Sequence, residues 1–377
     1  MKEFDFLIIG GGLFGVYTAL HLADKNYSVC IIEKENQLLS KASIVNQCRL
    51  HSGYHYPRSI TTAKMAAEHK ERFAREHHQI INTEFESYYA IEKNSYTNGN
   101  QFERFCKHIG IPAKRIGRHP LIDSQSLEAI YLTSEYSFDT LMLAEFYKEK
   151  INAHKNISLV LNTTVYAAHV TGNKWEITCK NQGAANQQLR SSIVINASYA
   201  GTNVINSKFG IPPLPLEYEI SEIALIQSVP LAKISLTVID GPFVSTVPYG
   251  NTAMQTLTSV LYTHHHVSDN TYPSFTCQKS NTLCKPDFLS ICTSCIARPE
   301  SNQKKMIAQL KKYIAADVPI QYLHSLYTIK TKLKSSYIDD GRPTEISKLS
   351  DSPPYYCIFS GKINSIYEIE KLFADAF

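Results

Sequence analysis

Phe4-Asp5-Phe6-Leu7-Ile8-Ile9-Gly10-Gly11-Gly12-Leu13-Phe14-Gly15 opens the chain, and Tyr27-Ser28-Val29-Cys30-Ile31-Ile32-Glu33 follows one helix-length later. Residues 4–9 are a short, largely apolar run of the kind that a buried parallel strand needs. Residues 13–24 carry Leu13, Val16, Leu20 and Ala23 at helical spacing, and residues 27–33 read as a second buried strand. Strand, tight turn, helix and strand in so short a stretch predict one compact βαβ crossover.

The turn fits G-x-G-x-x-G, and each glycine has its own reason. Gly10 allows the tight exit from the strand. Gly12 has no Cβ to keep a pyrophosphate from the helix N-terminus, where free N–H groups and the dipole favour negative charge. Gly15 lets helix and strand approach closely. Leu13 and Phe14 complete the turn, and Glu33, with Lys34 beside it, ends the second strand 23 residues after Gly10. That is close to the ~20 at which a carboxylate accepts ribose hydroxyls. An acid there argues against a 2′-phosphate, so the motif points to FAD or NAD rather than NADP. The competing reading is a glycine-rich turn with no ligand, which the flanking strands, helix and acid disfavour.

Working outward, helical patterning returns at residues 59–76, 139–154 and 301–316. Residues 157–177 alternate apolar and polar and read as two hairpin strands, broken at Thr171-Gly172-Asn173-Lys174. Residues 192–197 form another apolar strand, and 180–188 a polar loop. From 214 to about 262 the chain is β-branched and aromatic with Pro and Gly punctuation, which predicts an antiparallel sheet. Residues 356–377 give a strand, a Gly-Lys turn and a last helix.

At 377 residues two domains are the natural expectation. With 44% hydrophobic and 19% charged residues the composition is that of a globular protein, and a formal charge of +4 is far from a nucleic-acid binder's basic stripe. The early apolar stretch is broken by Gly10, Gly11, Gly12 and Gly15, so neither a signal peptide nor a transmembrane segment is expected. Nine cysteines, an odd number spread along the chain, suit reduced thiols and a cytoplasmic setting.

Asn46-Gln47-Cys48-Arg49-Leu50-His51-Ser52-Gly53-Tyr54-His55-Tyr56-Pro57 resembles the His-x-Gly-x-x-Tyr segment that runs under the flavin ring in 2-hydroxyglutarate oxidases. Together with the N-terminal fingerprint, it makes the chain similar nearly end to end to the D-amino-acid oxidase / glycerol-3-phosphate dehydrogenase superfamily of FAD enzymes. The likeness is closer still to oxidoreductases often encoded with surface-polysaccharide enzymes. Further parts of the resemblance are Val165, where the family has a strand meeting the adenine, and Ile195-Asn196-Ala197-Ser198-Tyr199-Ala200-Gly201. The latter is similar to an Asn-Ala-x-Gly turn whose glycine falls later here. Gly361-Lys362-Ile363-Asn364-Ser365 resembles the Gly-Lys-x-Thr loop that closes over the flavin. Its backbone N–H groups and helix start suit negative charge at the N1–C2 edge.

The resemblance implies an α/β fold with a discontinuous Rossmann-like FAD-binding domain (residues 1–82, 141–213 and 331–377). A substrate domain (83–140 and 214–330) would be built on an antiparallel sheet. It implies FAD as cofactor, a small and anionic substrate oxidised at a C–H beside an amine or hydroxyl by hydride transfer to N5, and oxygen or another electron acceptor. A reductase or dehydrogenase of surface-sugar biosynthesis and a non-catalytic FAD-binding protein are the alternatives. For chemistry, His51 is either a base or a histidine that only hydrogen-bonds the cofactor or backbone. Arg49 is a candidate to hold an anionic group. Asp339-Asp340-Gly341-Arg342-Pro343 resembles the Gly-x-Arg-Pro turn of amino-acid oxidases, so Arg342 either clamps the substrate carboxylate or pairs with Asp339 or Asp340 at the surface.

Two clusters concern metals. His264-His265-His266 alternate faces if they lie on a strand, which argues against three ligands to one ion. Cys277, Cys284, Cys292 and Cys295 fall within nineteen residues and end in Cys-x-x-Cys. They are zinc candidates, set against the reading as reduced thiols of a loop-rich insertion.

Overall fold

The computed structural model describes residues 1–181, 186–334 and 344–374. The chain runs β1 (Lys2–Ile9), α1 (Leu13–Asp24), β2 (Val29–Ile32), β3 (Arg49–Leu50), α2 (Ile60–Glu76), β4 (Ile81–Asn82), β5 (Glu86–Glu92) and α3 (Gly99–Ile109). It continues through β6 (Ala113–Ile116), β7 (Leu127–Thr133), β8 (Tyr136–Phe138), α4 (Thr140–Ala153), β9 (Ile157–Val160), β10 (Thr163–Thr171), β11 (Lys174–Asn181), β12 (Gln187–Asn196) and α5 (Thr202–Lys208). The rest comprises β13 (Leu216–Gln227), β14 (Ile234–Ile239), β15 (Val244–Pro248), β16 (Gln255–Ser259), β17 (His264–Ser268), α6 (Gln303–Leu310), β18 (Gln321–Leu333), β19 (Glu345–Asp351), β20 (Pro354–Phe359) and α7 (Glu368–Ala374).

Two large sheets organise these elements. In the first, the order is β10-β11-β12-β1-β2-β9, with β20 parallel to β12 and β19 antiparallel to β20. Strand β1 lies parallel to both β12 and β2, and β2 parallel to β9. The apolar run predicted at the start is the reason: Phe6, Leu7, Ile8 and Ile9 are buried on both faces. Phe6 and Ile8 join a core with α1, α4 and α7, while Leu7 and Ile9 join Trp175, Leu189 and Tyr355 on the other side.

In the second sheet the order is β17-β13-β16-β15-β14-β5-β7-β6, with β18 on the other edge of β13. It is antiparallel except where β14 runs parallel to β5. Helix α6 covers one face through Met306 and Leu310. The other face looks toward the first sheet.

Three expectations need correction. Residues 157–177 are not one hairpin: β9 leaves to pair with β2, and the hairpin is β10 with β11 through the foreseen turn, where Gly172 has φ 64°. The polar stretch 180–188 contributes the ends of β11 and β12, with 182–185 outside the described residues. The helix expected over 301–316 ends at Leu310, because the chain then turns so that Ile314 bridges Ile122 and Ala315 N–H bonds Leu121. A tertiary contact overrides helical spacing there.

Candidate active site

One cavity of about 890 Å³ opens between the sheets. At one end lies the glycine turn. Gly10 has φ 109°, and a Cβ built on it would meet the Ala197 carbonyl oxygen at 2.7 Å. A Cβ on Gly15 would meet the Gly10 carbonyl oxygen at 2.0 Å, so only glycine lets the helix start so near the strand. Ser43 Oγ accepts the Leu13 N–H at 3.0 Å. Glu33 accepts Gly11 N–H through Oε2 at 2.6 Å and Glu35 N–H through Oε1 at 2.8 Å, which fixes its carboxylate at the cavity wall.

Gly10, Gly12, Leu13, Phe14, Glu33, Lys34, Val165, Ala197, Gly361, Lys362 and Ile363 all line this cavity, as do Arg49 and His51. Residues more than three hundred positions apart in sequence meet there. Two expected members stand behind the wall instead. Gly15 packs the helix to the strand, and Asn364, fully buried, donates to the carbonyls of His51 (3.1 Å) and Ala66 (2.8 Å). Val165 precedes a register irregularity in β10. The Arg342 turn, residues 339–343, lies outside the described residues.

At the far end the second sheet supplies the wall. Thr258, Ser245 and Thr237 stand opposite one another on β16, β15 and β14, with Tyr89 next on β5. Gln47 Nε2 reaches Thr258 at 2.8 Å. Arg49 donates to Tyr89 (2.7 Å), Thr237 (2.7 Å) and Ser245 (2.5 Å), and forms an ion pair with Glu135. Burial opposes the guanidinium's charge, yet Tyr89 and Glu135 leave its pKa above the ordinary arginine value. Arg49 was expected to present a charge to an anion. Both terminal nitrogens are instead engaged by protein and the charge is matched by Glu135, so it braces the segment beneath the cavity.

His51 sits at this end with ring centroids 5.9 Å from His55 and 5.8 Å from Tyr56. Lys362 Nζ lies 4.6 Å from the Tyr56 ring centroid. It is deep in the molecule but half-buried, its exposed part facing the cavity. Burial first, and the Arg49 charge second, pull its pKa down to about 7. An ammonium there favours an anionic occupant.

The metal expectation finds no support. Cys277, Cys284, Cys292 and Cys295 do gather around a second cavity of about 10 Å³. Yet among the described residues no three His, Cys, Asp or Glu side chains are placed to hold a metal ion. His264 and His265 face different carboxylates, Glu219 at 3.2 Å and Glu222 at 2.7 Å.

Several site residues were not legible in the sequence. Glu135, Tyr89, Thr237 and Ser245 carry no motif, and only their side-chain contacts with Arg49 identify them. Tyr199 occupies a left-handed conformation, φ 53°, in the Asn-Ala turn, and its hydroxyl bonds both the carbonyl and the N–H of Thr331. Such a conformation is unusual for a bulky residue.

Comparison with known proteins places this geometry. The family described as FAD dependent oxidoreductase matches residues 5–273. An FAD-dependent monooxygenase FPY4 from Fusarium mangiferae is 30% identical over 105 residues, which is 28% of each chain. Glycine oxidase from Geobacillus kaustophilus superposes with TM-score 0.72 at 15% identity, covering 100% of this chain and 94% of its own. L-alpha-glycerophosphate oxidase from Mycoplasma pneumoniae, solved with FAD bound, gives TM-score 0.69 at 12% identity, with 98% and 94% covered. Likeness at these identities speaks to the fold. Among the described residues no helix is long and apolar enough to cross a membrane.

Proposed function

Because the chain belongs to the FAD dependent oxidoreductase family, we propose that it oxidises a small anionic substrate at a C–H beside an amine or hydroxyl, with FAD in the inter-sheet cavity. The observation that carries this reading is the continuity of that cavity, from the Gly10–Glu33 end to the His51–Lys362 end. The residues present fit the cofactor. Gly12 leaves the turn open to the cavity, a Cβ there meeting only Ser43 Oγ at 3.4 Å, and Glu33, held at the cavity wall by two backbone amides, would accept the ribose hydroxyls. Gly12, Leu13, Phe14, Lys34, Val165 and Ala197 would complete the ADP site, and Gly361, Lys362 and Ile363 the flavin end, with Asn364 bracing it from behind. The first sheet with its helices would form the FAD-binding unit (1–82, 141–213, 331–377), and the second sheet the substrate unit (83–140, 214–330).

When bound, FAD supplies the acceptor for a hydride from a carbon bearing nitrogen or oxygen. The chain's own part is to orient the substrate and manage its protons. Lys362 stabilises negative charge at the ring end, whether of cofactor or substrate. His51, at the ring end of the cavity, is the candidate to take a proton from the substrate. Arg342 remains the proposed carboxylate fork. Oxygen or another acceptor would then reoxidise the enzyme. The nine free cysteines are consistent with action in the cytoplasm.

The test is anaerobic mixing of purified holoprotein with panels of amino acids, 2-hydroxy acids and sugar acids, followed at the flavin absorbance. One panel member should bleach the flavin, and oxygen uptake on re-aeration separates oxidase from dehydrogenase. A yellow protein that no member bleaches, with wild-type spectra in His51→Ala and Lys362→Met, would favour binding without turnover.

A further inference from the structure

We propose that residues 287–292 are a strap of the second sheet's segment that closes over the adenosine end of the cofactor cavity and sets how long FAD is retained. This goes beyond the catalytic reading and rests only on FAD occupying the cavity.

The strap lies between β17 and α6, in a stretch with no regular strand or α-helix. Residues 287–292 all line the cavity, although none belongs to the glycine turn or the ring-side segment. Its base is anchored. Leu289 is buried among Leu216, Tyr218, Ile220 and Tyr327, and Thr293 Oγ1 both accepts from Tyr327 N–H (2.9 Å) and donates to its carbonyl (3.1 Å). A tight turn joins Lys285 and Phe288 through reciprocal backbone bonds of 3.0 and 2.9 Å.

Its tip crosses to the other sheet. The Leu289 carbonyl accepts from Lys41 Nζ at 2.9 Å and from Lys34 Nζ, and the Phe288 ring lies 4.7 Å from Lys34 Nζ. These lysines follow Glu33, so the tip rests where the ribose and pyrophosphate are expected. Both also pair with one carboxylate, Glu35, at 3.2 Å from Lys34 and 2.7 Å from Lys41. Two ammonium groups against one carboxylate leave a positive charge in excess. That excess attracts an anionic group such as a pyrophosphate.

Latching contacts of this kind are individually weak, because Lys34 and Lys41 side chains are 27% and 30% exposed and the pairs are screened. Opening the tip breaks these contacts and unseats Leu289, but it breaks no ladder hydrogen bond of either sheet. If the cofactor lies beneath the tip, closure and cofactor binding favour each other, and the coupling is reciprocal. Two lysines on one carbonyl would then tune FAD retention without touching the reacting end.

The experiment compares apoprotein and FAD-loaded protein by hydrogen exchange over residues 283–293, and follows FAD fluorescence on release after dilution. The unaltered protein, Leu289→Ala (strap side) and Lys41→Gln (latch side) are measured. FAD should slow exchange in the strap. Each variant should speed release on the order of tenfold: Lys41→Gln by losing the charged hydrogen bond to the Leu289 carbonyl, Leu289→Ala by losing the packing that seats the strap. Lys41→Gln should also speed strap exchange in the apoprotein, which mere loss of attraction to phosphate would not do. Release within twofold of the unaltered protein in both variants, or equal strap exchange with and without FAD, overturns the strap while leaving the cofactor assignment intact. Failure of the unaltered protein to bind FAD overturns both.

Discussion

Replacing Glu135 by Gln keeps the shape of the side chain and removes its charge, and it tests whether Arg49 is a brace. The Arg49 and Glu135 side chains are 1% and 2% exposed, so water cannot take over the lost interaction. Glu135 also accepts from Tyr89 at 2.6 Å and from Ser52 N–H at 3.1 Å. Breaking a buried pair from one side typically costs about 3–5 kcal/mol, because the surviving charge stays buried and uncompensated. Replacing both partners by methionine removes that charge as well. Arg49→Met/Glu135→Met is therefore expected to lose less stability than the sum of the single changes. Urea unfolding of the apoprotein, followed by circular dichroism for all four members of the cycle, measures this. A cost below about 1 kcal/mol for Glu135→Gln, the range of exposed pairs, would refute the reasoning. It would mean that the guanidinium is neutralised elsewhere and that Arg49 is available to an anionic ligand.

Two further outcomes are expected. Lys362, held near about 7 in the folded protein, binds fewer protons than in the unfolded chain, where lysine titrates near ~10.4. Apoprotein stability should therefore rise with pH through that window, and Lys362→Met should flatten the rise; an unchanged slope in the urea midpoints would place the ammonium in water. The cysteine cluster should carry no stoichiometric zinc and should react slowly with thiol reagents in the native state. Burial pushes Cys292 up to about 12 and raises Cys277; one bound zinc per chain by metal analysis would show that the thiols converge.

What the sequence revealed was chemistry carried by neighbours along the chain. The glycine turn, Glu33 and the first crossover depend on spacing within a few dozen residues, and they lie where spacing placed them. Asp139 is a local cap as well, accepting from Leu141 and Met142 N–H at 2.9 and 3.0 Å. What was not legible lies where a distant partner decides. Residues 157–160 alternate like an arm of a hairpin, but β2 draws them into a parallel ladder. Arg49 reads as a candidate to hold an anionic group, and its partner Glu135 stands 86 positions away. Four cysteines close in sequence share a cavity, but sequence spacing does not fix the directions of their thiols.

The same long-range logic explains how the ring end of the cavity is built. The segment from Asn46 to His51 has little regular structure of its own, with β3 only two residues long. It turns at Cys48, whose φ is 57° and whose N–H is held by Asn46 Oδ1 at 2.8 Å. From there it is tied in three directions. Gln47 and Arg49 reach the hydroxyl row of the second sheet, and Arg49 pairs in register with Ser137 on β8. Asn364, arriving from the C-terminal loop, takes the His51 carbonyl. A strand fixed by its own ladder would keep its shape whichever way the two sheets were spaced. This segment cannot, because its side chains span the gap between them. The environment of His51 and Lys362 is therefore set by the separation of the sheets, and hydroxyls as remote in sequence as Thr237 and Ser245 act on that end by holding Arg49.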